Sequence, residues 1–194
     1  MKKLLLMAAV AVFGFTNINA QDDKTTGGFA NGDVYASGSI GFNSAKFGEA
    51  KSNSLEFSPA VGFFISDNIA LEVNLLIGSG EDANDDKTSS FGGGLGATYF
   101  FTPAGQFSFT LGAGVAYQTS KEEFNGGGEA KFNTFGFAVA PGVNYFVSDC
   151  IALRASIGAL SYASSKLDGA DDASTNFGLN LDLSNIDFGI TYKF

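Results

Sequence analysis

The sequence predicts an all-β protein: an eight-stranded antiparallel transmembrane up-and-down β-barrel. Three observations carry that expectation. Apolar residues recur at every second position along most of the chain. The two faces this creates differ in kind, one rich in Val, Ile, Leu and Phe, the other in Gly, Ser, Ala, Thr and Asn. The connections between the alternating runs are short and long in turn.

The N-terminus comes first and stands apart. Lys2 and Lys3 precede an apolar run, Leu4–Phe15, which is too short to cross a bilayer as a helix, since that needs ~20 residues. "TNINA" then leads to a cleavage point after Ala20. Residues 1–20 therefore read as a cleaved secretory signal peptide, 21–32 as a short periplasmic N-terminal segment and 33–194 as the barrel.

Strands are expected near 33–42, 54–65, 69–79, 91–101, 107–118, 131–147, 151–163 and 177–194. The third shows the pattern plainly: Ile69, Leu71, Val73, Leu75 and Ile77 face one way, Ala70, Glu72, Asn74, Leu76 and Gly78 the other. The fifth repeats it, with Phe107, Phe109, Leu111, Ala113, Val115 and Tyr117 against Ser108, Thr110, Gly112, Gly114 and Ala116. In the eighth, Phe177, Leu179 and Leu181 alternate on odd numbers, and Phe188, Ile190 and Tyr192 on even ones. A bulge at Ser184–Asn185 would shift the parity and keep the apolar residues on one side.

"SDN" (66–68), "TPAGQ" (102–106) and "SDC" (148–150) are short turns. The stretches 43–53, 80–90, 119–130 and 164–176 are long and polar, and are expected as four long loops. The acidic runs "GEDANDD" (Gly80–Asp86) and "DGADD" (Asp168–Asp172) match no ordered Ca²⁺-loop pattern and read as solvated, with the gathering of divalent cations as the alternative.

The faces decide the solvent. A soluble barrel would carry Lys, Glu and Arg on its outer face, whereas the second face here is small and Gly-rich, which suits a crowded lumen. The apolar face is nearly free of charge, as hydrocarbon requires. Every backbone polar group in a membrane must be paired, so the strands must close on themselves. Phe63, Tyr99, Phe101, Phe107, Tyr145, Tyr192 and Phe194 gather by the short turns, and Phe42, Phe91, Tyr117, Phe132 and Phe177 by the long connections. Two such belts match two bilayer interfaces.

Charge and composition exclude several functions. Without the signal peptide, nine basic residues face 20 acidic ones, which argues against nucleic-acid binding. There is no His, so no Ser–His or Asp–His pair can act as nucleophile and base, and the chain is not expected to be an enzyme. No phosphate loop or Cys/His metal spacing is present, and no metal or other cofactor is expected. The single Cys150 cannot form an intramolecular disulfide.

One phrase occurs twice. "PAVGFFISDNIALE" (Pro59–Glu72) and "PGVNYFVSDCIALR" (Pro141–Arg154) agree at eight of fourteen positions, at an offset of 82. They read as two copies of one periplasmic hairpin, four strands apart and so on opposite sides of an eight-stranded barrel. The copies end in opposite charges. Glu56, Glu72 and Arg154 all fall on the inward parity, and Arg154 is the only Arg in the chain. Charges in a narrow lumen must be paired or wet. Arg154 is expected to pair with Glu72, with Glu56 as a competing partner, as a structural plug or a gate.

The chain ends on "DFGITYKF", with Asp187, Gly189, Tyr192 and Phe194 in the arrangement of the terminal signal read by barrel-assembly machinery. With the leader and the alternating strands, the mature chain resembles the small outer-membrane β-barrel family. This is the OmpA/OmpX/OmpW-like class, in the form common in Bacteroidetes-type Gram-negative bacteria. The resemblance implies a multi-pass barrel in the cell outer membrane, with outer-membrane lipid and lipopolysaccharide as surroundings and the assembly machinery as a partner during biogenesis. It implies no single activity: members are stabilisers, adhesion factors, narrow channels and a few enzymes. A role in envelope integrity or surface interaction is the expectation, with a narrow passive channel as the alternative. Surface interaction, with a loop-bound ligand, would run through the four long loops.

Overall fold

The computed structural model describes residues 27–48, 50–180 and 186–194. The signal-peptide residues lie outside this range, as does the expected bulge at Ser184–Asn185. Ten strand elements follow one another: β1 (Val34–Phe47), β2 (Ala50–Phe64), β3 (Ile69–Glu81), β4 (Lys87–Phe100), β5 (Phe107–Glu123), β6 (Glu129–Phe146), β7 (Ile151–Ile157), β8 (Ala159–Leu167), β9 (Ala173–Asn180) and β10 (Ile186–Lys193). Every pairing is antiparallel, β1 meets β10, and β5 meets β6, so the sheet closes.

Ten elements make eight walls. β6 pairs with β7 along its lower part and with β8 along its upper part, and β10 and β9 continue outward from these two in the same way. The seventh wall is interrupted at Gly158, which adopts φ 63°. Between the pairs Gly142↔Ser156 and Val139↔Leu160, β6 advances three residues and its partner four. The extra residue is a bulge, and Gly tolerates the left-handed conformation it needs. In the eighth wall Phe177 and Leu179 are exposed on odd numbers, Phe188 and Ile190 on even ones. The parity has therefore changed between the two halves.

The strands run further outward than the apolar pattern suggests. The four long loops expected at 43–53, 80–90, 119–130 and 164–176 are mostly strand, and the tips between paired elements are short. The hydrophobic signal stops at the edge of the hydrocarbon, but the ladder of backbone hydrogen bonds does not. Above the membrane both faces turn polar, so the period-2 contrast vanishes while pairing persists, as in Lys87↔Glu123 and Lys121↔Lys131.

The apolar parity faces outward throughout, with Ile40, Phe42, Val73, Leu95, Phe109 and Phe188 among its exposed members. Edge-to-face pairs Tyr99–Phe101, Phe107–Phe109 and Tyr192–Phe194, at 5.0–5.3 Å between centroids, belt the periplasmic end. The dry core is small and lies inside that end: Phe29, Tyr35, Phe64, Ala70, Phe100, Phe146 and Ala152.

Candidate functional site: the closed base of the lumen

The short turns place the base residues. Ile65–Ile69 and Val147–Ile151 close the two copies of the repeated hairpin with matching bonds, and the Ser66 and Ser148 hydroxyls each accept from the amide three residues on, at 3.1 Å. Each turn delivers an inward Phe at the end of one strand, Phe64 or Phe146, and an inward Ala at the start of the next, Ala70 or Ala152. Phe100 does the same for β4. Large and small side chains thus alternate around the ring, which lets the rings meet at the axis.

At that axis sits Phe29, from the segment before β1. It is only 3% exposed. It stacks on Phe64 at 4.6 Å and packs edge-on against Phe146 at 4.9 Å and Phe100 at 5.4 Å, with Tyr35 at 5.2 Å. The segment expected as periplasmic, 21–32, therefore enters the barrel mouth in the part the structure describes.

The lumen charges stand against this aromatic floor. Arg154 Nη1 donates to Glu72 Oε1 at 2.5 Å, and the Thr98 hydroxyl donates to Glu72 Oε2 at 3.1 Å. The guanidinium carbon lies 5.4 Å from the Tyr35 ring centre and 5.7 Å from that of Phe100, so the cation also rests on two ring faces. Register makes the room. Glu72 is flanked by Gly62 and Gly96, Arg154 by Gly189 and Asn144. A Cβ at Gly62 would overlap the phenol end of Tyr35, so that position admits no larger residue without moving the tyrosine.

Glu56 is not brought to Arg154. It lies opposite Gly41 and Gly78 in register, six residues along β2 from Gly62, or about 20 Å at ~3.3 Å per residue. It lines a cavity of about 530 Å³ near the extracellular end, together with Ser54, Ser79, Ser90, Glu81 and Asp82. Its separation from Arg154 follows from strand length, since parity fixes a face but not a height. A second cavity of about 230 Å³ adjoins Arg154 and is lined by Ser37, Ser58, Thr110, Ser156 and Asp187. The lumen is a polar cup with a packed base.

Of the terminal-signal residues, Asp187, Gly189 and Tyr192 lie on β10 and Phe194 directly follows it. Asp187 lines the cavity beside Arg154, Gly189 pairs with both Ser39 and Arg154, and Tyr192 packs edge-on against Phe194 on the outside. At the other end, two hairpin tips are joined. Asn125 donates its backbone N–H to Asp86 Oδ1 at 2.7 Å and its amide to the Asn84 carbonyl at 3.2 Å. Asp82 braces the second tip by accepting the amides of Asn84 and Asp86 at 2.8 and 3.0 Å, which hold its carboxyl below the ordinary aspartate range. Among the described residues no three Cys, Asp or Glu are gathered to hold a metal ion.

Sequence reasoning did not identify Phe29, Phe64, Phe100 and Phe146 as site residues. For the last three a signal exists: each is adjacent in sequence to an outward aromatic, in "GFF", "TYFF" and "NYF", and has the opposite parity.

A search among curated proteins finds no match. Two solved structures share the architecture. Neisserial surface protein A is 17% identical, with 83% of this chain and 97% of that one covered and a TM-score of 0.53. The outer membrane protein OprG from Pseudomonas aeruginosa is 16% identical, with 86% and 98% covered and a TM-score of 0.51. At that identity the likeness speaks to fold alone. The family model for the outer membrane protein beta-barrel domain matches residues 8–194. The closed antiparallel wall, its apolar exterior and that match lead to one statement: the chain belongs to the outer membrane protein β-barrel domain family and is an integral protein of the outer membrane.

Proposed function

We propose that this is a non-enzymatic, non-conducting outer-membrane barrel that acts through its extracellular hairpins, in envelope integrity or surface interaction. The observation that carries this is the base of the lumen, where five aromatic rings pack against one another beneath the Glu72–Arg154 pair. A narrow channel gated by that pair is the rival reading. Opening the pair would still leave the floor of Phe29, Phe64, Phe100 and Phe146 between the cup and the periplasm. The outer ends support a surface role, since the strands rise beyond the apolar band and two tips are held together. In this reading, outer-membrane lipid surrounds the apolar face, lipopolysaccharide meets the hairpins, and assembly machinery reads Asp187, Gly189, Tyr192 and Phe194.

Planar-bilayer recording and liposome swelling with the refolded wild type test the proposal. No conductance steps and no swelling with small sugars are expected. Steady ion-conducting steps in the wild type would show a through path and overturn it.

A further inference from the structure

We infer that the segment around Phe29 is a stopper seated in a preformed aromatic socket, releasable without loss of the barrel wall. The inference rests on the reading of a closed base and adds which part of that closure can leave. The wall is complete without the segment: β1 begins at Val34, and its ladder to β2 starts at Val34↔Phe63. Phe29 contributes no rung to that ladder. It enters from the periplasmic side as a single ring against four others.

The segment is held at the rim, where the Phe64 amide donates to the Asp33 carbonyl at 2.9 Å and Lys193 Nζ lies 3.8 Å from Asp33 Oδ2. The Phe29 amide donates to the Pro103 carbonyl at 2.7 Å, the Gly32 amide to the Phe64 carbonyl at 2.9 Å, and Lys193 Nζ to the Gly28 carbonyl. Asp33 closes the turn below by accepting the Ala30 amide at 2.9 Å. The fit is close where the backbone crosses the rim. A Cβ at Gly27 would meet the Phe146 ring and the Ser148 carbonyl at 2.6 Å, and one at Gly28 would meet Ala104 at 2.6 Å. A flat Gly-Gly backbone carrying one ring is what lets the segment lie against the rim and fill the socket. The rim contacts come from the second and third short turns, through Pro103, Ala104 and Ser148, and from Lys193 of the closing strand β10. The seat therefore exists only once β10 has joined β1.

Ser108 lies among the inward residues of the base, where its hydroxyl accepts the Thr102 amide at 3.0 Å and donates to the Phe109 carbonyl at 2.9 Å. It faces inward, is 1% exposed, and pairs with Asn144, two residues before Phe146. The test places a thiol there, as Ser108→Cys in a Cys150→Ser background, and follows its modification by a small anionic methanethiosulfonate in refolded vesicles. With Phe29 present the reaction is expected to be slow. Phe29→Ala should speed it at least tenfold, and Phe29→Leu should lie between, while the unheated protein keeps its fast folded migration on a gel. Equal rates for Phe29 and Phe29→Ala overturn the stopper. Failure of both Phe29 variants to reach the folded form overturns it as well, because the wall would then depend on the segment. Conductance of the wild type, by contrast, would sink the closed-base reading itself.

Discussion

Arg154→Ala removes one side of a pair in which both side chains are mostly shielded, at 19% and 18% exposed. Breaking a buried pair by deleting one partner costs ~3–5 kcal/mol, because the remaining charge is stranded. The pair keeps about a fifth of its side-chain surface open and Arg154 lines the lumen cavity, which moves the expectation to about 3 kcal/mol, the lower end of that range. The contacts with Tyr35 and Phe100 add a separate contribution of ~0.5–2 kcal/mol for a cation on ring faces. Glu72→Ala should cost less, since Arg154 keeps its rings. The double change Glu72→Ala with Arg154→Ala should fall short of the summed single costs by ~1–3 kcal/mol, the coupling expected of residues in contact. Exchanging the charges, Glu72→Arg with Arg154→Glu, should restore the ion pair but not the ring contacts, leaving a deficit of about 1 kcal/mol. Urea titration in lipid vesicles, scored by the fast-migrating band of the unheated barrel, measures each quantity. Strict additivity of the two alanine changes would refute direct pairing, and so would a charge exchange no more stable than Arg154→Ala.

Two further outcomes follow from the geometry. Gly62→Ala should destabilise the barrel by ~1–3 kcal/mol, the usual cost of forcing atoms into a filled space. The same urea assay should show most of that penalty gone when Tyr35→Ala is already present, and an unchanged penalty would mean the ring is not the obstacle. At the second hairpin tip, the Asn84 and Asp86 amides lower the Asp82 carboxyl below its ordinary 3.8, so its protonation in the folded state is delayed. A depressed carboxylate stabilises the tip above its unfolded value and loses that contribution as pH falls through the folded one. The ¹⁵N–¹H shifts of Asn84 and Asp86 should move together with falling pH, with a common midpoint below 3.8. A midpoint at or above the ordinary value would contradict the bracing role.

The wall was legible because hydrocarbon and lumen impose opposite demands on alternate residues, and Ile69–Ile77 or Phe107–Tyr117 obey them without interruption. Legibility ended where that contrast ended. Above the membrane both faces are polar, so Lys87–Ser90 and Ser120–Glu123 give no hint that the ladder continues. The interruption at Gly158 had a trace, since Leu153 and Leu160 fall on opposite parities, but Ala and Ser on both faces of that strand weaken it. Glu72 and Arg154 stood out as charges on a face otherwise nearly free of them. Phe29 stood out in nothing. It is one aromatic in a polar, Gly-rich stretch, and its place is fixed by rings from β1, β2, β4 and β6, which only the closed wall brings together.

The bond between Asn125 and the second hairpin tip has a consequence for variation at the surface. A tip that touches no other can change its sequence alone, and inserted epitopes or altered lengths there would leave the rest of the crown in place. The second and third tips form a linked pair. A chimera that exchanges Asp82–Asp86 without Asn125 removes the Asp86 carboxylate and strands Asn125, so transplanting surface segments between such barrels should succeed when these two move together.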